Sequence, residues 1–365
     1  MTHSWLPTRP CAIGITLALT LALVTGCGDD GALPGANSTD SVQGLLDDWA
    51  GQGRGGVAVA MAGNDDELTL AAAGTTGPDG GVLDPNDAFR VGSLTKTFVA
   101  VMVLQLVADG TLGLDDLVVD HAPELTIADG VTIRQLLAHR SGIPEHTDSE
   151  LAPAVLADPA RAWTPADVLE LVADQSRDFS PGELFAYSNT NYVVAGLLLE
   201  AVTGVSLADN LSARIVEPLA LTSTWIAPAG GRTPIGGFSP SLPGGDTNAT
   251  SYVGLETAAG AAGALVSTAS DLATFLRALA HGELLPASTY AQMTRDLPSE
   301  GWSLGVFAAD PPSAAGISNA GAIPGFTAYM QYDPATEDLV VLLLNDDSRS
   351  PESLGAALSA IVGAR

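Results

Sequence analysis

The sequence predicts an α/β fold of the α+β type: one antiparallel sheet assembled from both ends of the chain, flanked by helices, with a mainly helical region inserted between them. Three observations carry this. Strand-like runs occur near the start, in VAVAMA and ELTLAAAG, and again near the end, in GWSLGVFA, FTAYMQYD and DLVVLLLN. The middle third instead shows helical spacing with Pro and Gly punctuation, in VTIRQLLAHRSGIP, TPADVLELVADQS and NYVVAGLLLEAVTG. Helical patterns also bracket the strands, SVQGLLDDWA before the first pair and residues from about Pro351 to Val362 after the last.

Read from the N-terminus, Arg9 precedes the apolar run AIGITLALTLALV, too short and too early for a membrane span and suited to a signal-peptide core. Val24, Thr25, Gly26 and Cys27 then resemble a bacterial lipobox. Residues 1–26 are expected to be a lipoprotein signal peptide, with Cys27 lipidated and the protein extracytoplasmic, held to the membrane through that lipid alone. Cys11 leaves with the signal, so the mature domain has no thiol for a disulfide or a cysteine metal site. Residues 27–41, small and polar with Pro and Gly, read as a flexible tether, and 42–365 as the folded domain.

Within that domain the turn-forming GNDD separates the first two strands. Gly51, Gly53 and Gly56 fit GxGxxG, but they follow a helix and precede a strand, the reverse of what a phosphate site needs. Thr164 followed by Asp167 predicts an N-cap for TPADVLELVADQS. The 365 residues are 46% hydrophobic, enough for a large core, and the formal charge of −28 repels polyanions, which excludes nucleic acid as a partner. The protein is expected to be monomeric. There is no HExxH or clustered His/carboxylate pattern for a metal and no GxSxG elbow; His121, His146 and His281 stand singly, and His139 reads as a packed or hydrogen-bonded ring.

The chemistry concentrates in VGSLTKTFVA. Lys96 is the sole lysine of the chain and follows Ser93 by three residues. On a helix opening at Ser93, that spacing brings the amine back over the hydroxyl. Lysine, unlike arginine, can have its pKa lowered enough to accept a proton near neutrality, so the pair makes Ser93 a candidate for acylation. Tyr187 and Asn189, in FAYSNT just before a helical pattern, are placed to aim a phenol and an amide into a cleft.

RVGSLTKTFVAVMVLQLVADGTLGLDDLV, TIRQLLAHRSGIP, FSPGELFAYSNTNYVVAGLLLEAVTG and EPLALTSTW, in this order, resemble the serine β-lactamase and penicillin-binding-protein superfamily. The branch is that of class C β-lactamases, D-alanyl-D-alanine carboxypeptidases and related esterases. The resemblance implies the β-lactamase/transpeptidase-like fold, Ser93 as acylated nucleophile, Lys96 as its partner, Tyr187 as proton shuttle and Asn189 as a contact of substrate and lysine. It also implies an oxyanion hole from the backbone N–H of Ser93 and one on the third-motif strand, and no metal or organic cofactor.

That third motif is usually a Lys-Thr-Gly or His-x-Gly triplet, and ISNAGAIPGF stands in its place. Asn319 takes the position of the cation, Gly321 matches the glycine and Ala322 is the second oxyanion donor; Asn319, Gly321 and Ala322 are accordingly expected to contact substrate with Asn189. Without the cation, substrate-carboxylate binding is weakened. The expected substrates are cell-wall peptides, β-lactams or esters. The alternatives are an esterase or amidase for a carboxylate-free substrate and a non-catalytic relative that binds in the same cleft.

Overall fold

The computed structural model describes residues 39–63, 67–78, 80–228, 232–243, 247–295, 301–308 and 316–363. The signal-like segment, Cys27 and the tether through residue 38 lie outside the described residues. Helix α1 (Thr39–Gly51) opens a little before the expected domain start, so the polar TDS forms its first turn instead of ending the tether.

Eleven strands are described: β1 (Gly56–Ala62), β2 (Thr69–Gly74), β3 (Phe89–Arg90), β4 (Trp225–Ile226), β5 (Phe238–Ser239), β6 (Thr247–Asn248), β7 (Leu265–Ser267), β8 (Phe307–Ala308), β9 (Ile317–Ile323), β10 (Phe326–Asp333) and β11 (Asp338–Leu344). The main sheet runs β2-β1-β11-β10-β9-β8, and its ladders are antiparallel, so strands from the two ends of the chain interleave as expected. GWSLGVFA contributes only the short edge strand β8, because Trp302 already bridges back to Phe307 in a tight turn.

Side chains alternate across a strand, and here the alternation divides the core in two. Val57, Val59 and Met61 of β1 join Leu342 and Leu344 of β11 against Val42, Leu46 and Trp49 of α1 and the C-terminal helix Glu352–Gly363. Ala58 and Ala60 share the other face with Val341 and Leu343 of β11 and with Leu272, Phe275 and Leu276 of the helix Ala269–Ala280.

The inserted region centres on helix α2 (Thr95–Ala108), whose residues are buried on nearly every side; an all-round apolar helix belongs in the middle of a helical layer. Helix α3 (Asn189–Thr203) and helix α4 (Val253–Gly263) pack beside it. VTIRQLLAHRSGIP and TPADVLELVADQS yield shorter helices than their patterns suggest, Ile133–Leu137 and Pro165–Glu170. The expected cap at Thr164 is present as a full capping box with Asp167. Among the described residues no single helix is long and apolar enough to cross a membrane.

Thr164→Ala removes one half of that box and is expected to lower stability by ~1 kcal/mol in urea unfolding, with no change in any reaction at Ser93.

Candidate active site

Ser93 sits in a 3-10 turn, Gly92–Leu94, that runs directly into α2. The sequence alone suggests a position at the start of the helix proper. The correction leaves the consequence intact, because residues three apart eclipse in a 3-10 turn, and Lys96 Nζ lies 3.0 Å from Ser93 Oγ. The turn is pinned from below: Thr95 Oγ1 donates to Gly92 O at 2.7 Å and accepts from Leu265 N at 3.0 Å. Just upstream, Arg90 is 2% exposed, pairs with Glu256 of α4 and donates to Ala249 O at 2.9 Å.

Lys96 is fully buried, and its amine reaches two further acceptors, Asn189 Oδ1 at 2.7 Å and Ala262 O at 2.8 Å. Ala262 lies in the last turn of α4, where carbonyls have no partner within the helix. Removal from water lowers the Lys96 pKa to about 7, with Glu145 pulling the other way. The geometry fixes what a neutral amine does here. An amide oxygen and a carbonyl can only accept, so the two N–H bonds go to Asn189 and Ala262, and the lone pair faces the Ser93 hydroxyl.

From the opposite side the Tyr187 phenol donates to Ser93 Oγ at 2.9 Å. Part of the residue is exposed, but desolvation around its hydroxyl raises its pKa above the ordinary value of 10, with the Ser93 hydrogen bond opposing. Tyr187 is therefore a phenol at neutral pH, a proton donor toward Ser93, which leaves Lys96 as the base. Its ring packs on His139 at 4.3 Å between centroids and edge-on to Trp302 at 5.7 Å. His139 is buried, its pKa held well below 6.5 first by desolvation and then by Lys96, and its Nδ1 accepts Ser188 N at 3.1 Å. A neutral acceptor of this kind holds the Tyr187–Ser188 turn, in keeping with a structural histidine.

Strand β9 meets the nucleophile turn through two glycines. A Cβ on Gly321 would come within 2.0 Å of Val91 O and 3.1 Å of Ser93 N, and one on Gly92, at φ +52°, within 2.8 Å of Ala322 N. Only residues without side chains approach this closely. Ile323 and Phe326 close the two-residue hairpin between β9 and β10, and Ala322 lies opposite Thr327 in the next pair. Pairs alternate between bonded and non-bonded along an antiparallel ladder, so the Ala322 N–H turns away from β10 to the edge facing Gly92.

Asn319 departs from expectation. It is 1% exposed, and its Nδ2 donates to Thr97 Oγ1 at 2.9 Å and to Ser93 O at 3.3 Å. Its Oδ1 accepts Ala320 N at 2.8 Å. Facing α2 on the same side of β9 as Gly321, it ties the strand to the nucleophile turn instead of offering the cleft a substrate contact. Asn189 likewise spends its Oδ1 on Lys96. Ser93, Lys96, Tyr187 and Asn189 thus converge, Gly321 and Ala322 border them, and Asn319 braces them from beneath. Sequence reasoning missed Ala262, a backbone acceptor without a side-chain signal, and Glu145, the residue directly after the quoted TIRQLLAHRSGIP. Among the described residues no group of three or more His, Cys, Asp or Glu side chains is gathered to hold a metal.

The scaffold is that of the serine β-lactamase and penicillin-binding-protein superfamily. The sheet interleaved from both termini agrees with what comparison with known proteins finds. The chain belongs to the Beta-lactamase family, whose model matches residues 42–364. It is 26% identical over 262 residues to the Bacillus subtilis protein named PbpX, covering 72% of this chain and 63% of that one; the chain thus spans less than two thirds of that relative. Among solved structures it is similar to D-amino acid amidase from Ochrobactrum anthropi SV3, with TM-score 0.76, 27% identity, and 89% of this chain and 97% of that one covered. It is also similar to a D-stereospecific amidohydrolase from Streptomyces sp., with TM-score 0.72, 30% identity, and 85% and 95% covered.

Two outcomes follow for this site. Acylation of Ser93 is expected to rise with pH through about 7, as the Lys96 ammonium releases its proton and the lone pair becomes available; kcat/KM or the rate of labelling by an acylating probe, followed from about pH 5 to 9, reads the limb. Asn319→Ala strips the two donated bonds that brace the turn and leaves Thr97 Oγ1 and Ser93 O short of a partner, costing roughly 1–3 kcal/mol in denaturant unfolding.

Proposed function

We propose that the protein is a serine hydrolase that works through an acyl-enzyme on Ser93. The observation that carries this reading is the 3.0 Å contact between Ser93 Oγ and a buried amine whose remaining hydrogen-bond partners are pure acceptors. Lys96 takes the hydroxyl proton as Oγ attacks an acyl carbon, and the backbone N–H groups of Ser93 and Ala322 receive the developing oxyanion. Tyr187 gives its proton to the departing nitrogen or oxygen and takes one back from the Lys96 ammonium, which returns the amine to its neutral form. Water then repeats the sequence on the acyl ester: it loses a proton to the same base and releases the acid with Ser93 restored.

For the substrate, the reading is an amide of a D-configured amino acid or short peptide that carries no free carboxylate at the third-motif end, with esters as a second class. Two features support it. The neutral, buried Asn319 supplies no charge where the superfamily usually places a cation, and two structural neighbours are named for D-amino acid amidase and D-stereospecific amidohydrolase activity. Carboxypeptidase and β-lactamase activity both call for a bound carboxylate and rank below. The lipobox supports an extracytoplasmic lipoprotein anchored at Cys27.

Incubation with a fluorophosphonate is expected to add one mass equivalent to the protein and none to Ser93→Ala; a folded wild type that takes up no acylating probe overturns the reading. A D-amino acid amide is expected to be hydrolysed at least ~10-fold faster, by kcat/KM, than a matched D-alanyl-D-alanine peptide, the scale set by losing one charge-assisted contact.

A further inference from the structure

Glu145 is a carboxylate beside the reacting pair that the mechanism above does not use. It lies in the turn leading to the 3-10 segment His146–Asp148, with 15% of its side chain exposed. One oxygen accepts the backbone N–H of Asn189. The other accepts Thr147 N at 2.9 Å and lies 3.7 Å from His146 Nδ1. Asn189 is the first residue of α3, and the preceding N-cap residue, Ser188, makes no side-chain capping bond. Glu145 fills that role from a different segment, placing an anion where a helix N-terminus favours one.

The helix it caps is the one that delivers Asn189 Oδ1 to Lys96 at 2.7 Å. A short chain of contacts therefore runs from the Glu145 carboxylate through the Asn189 backbone and side chain to the amine and on to Ser93 Oγ. The titratable groups around that amine come from several elements. His139 and His146 both have lowered pKa values, chiefly from burial, and Tyr187 and Tyr192 raised ones, again from burial, so all four are neutral near pH 7. On α4, Glu256 is paired with Arg90. Glu145 acts on Lys96 through its charge, in the direction that favours the ammonium.

We propose that Glu145 is a positioning residue for the Ser93–Lys96 pair: it fixes the helix end that carries Asn189, and its charge sets where the proton shared by serine and lysine rests. This builds on the acyl-enzyme reading, yet its test need not. Lys96 is the sole lysine in the sequence, so protein grown on lysine labelled with carbon-13 at Cε gives a single side-chain resonance from the intact domain, and its titration reads the amine directly.

In Glu145→Gln, which keeps the shape and an acceptor for Asn189 N but removes the charge, the midpoint of that resonance is expected to fall by roughly half a pH unit or more. The acid limb of kcat/KM moves with it. Glu145→Ala, which also removes the cap, is expected to lower kcat further with a smaller change in KM, while Glu145→Asp recovers part of the limb position. An unmoved midpoint in Glu145→Gln overturns the proposal, as does a Glu145→Ala enzyme with wild-type kcat. If wild type neither turns over substrate nor takes up a probe, the acyl-enzyme reading fails, and the resonance still decides whether Glu145 governs Lys96.

Discussion

An amine held out of water sets the terms for everything around it. Burying an ammonium is costly in proportion to how completely water is removed, and the balance tips toward the neutral form unless charge compensates. Lys96 sits at that balance point, its desolvation partly offset by Glu145. Three hydrogen-bond partners arrive from three separate segments, the nucleophile turn, the start of α3 and the end of α4. Each is neutral, so none locks the amine into its charged state. The helices must pack well enough to exclude water, yet leave one side of the amine turned toward a hydroxyl.

The second constraint is steric. The inserted helical layer and the terminal sheet meet where β9 crosses the turn holding Ser93, and they meet backbone to backbone at Gly92 and Gly321. A side chain at either position would push the strand away, and with it the Ala322 N–H. Thr97 and Asn319 reinforce the crossing one turn further along, with Thr97 Oγ1 donating to Gly305 O at 2.8 Å while accepting from Asn319. Asparagine suits this place because it donates and accepts in one plane; a cation would bury a charge beneath the strand.

Much of this was legible in the residues. The strands of VAVAMA, FTAYMQYD and DLVVLLLN, the capping box at Thr164 and the Ser93–Lys96 contact rest on local pattern and short spacing, which a sequence states directly, whereas the arrival of Tyr187 from 94 residues away rests on the family resemblance. Asn319 was misread because alignment to a motif gives a position on a strand, while the direction of its side chain depends on what the strand packs against. Glu145 and the Ala262 carbonyl act through contacts between residues distant in sequence, and a backbone oxygen has no letter of its own. The 3-10 geometry at Ser93 is likewise invisible to a spacing of three, which an α-helix satisfies equally.

The pairing of β1 with β11 also governs how such a chain acquires its shape. Gly56 N bonds the Asn345 side chain across 289 residues of sequence, so the central ladder has almost the longest loop the domain can close. Loop-closure entropy must be met before that contact returns any stability, which makes folding slow and postpones it until β11 is available to pair. Up to that moment β1 is an exposed apolar ribbon with an unpaired edge, vulnerable to aggregation unless a chaperone shields it.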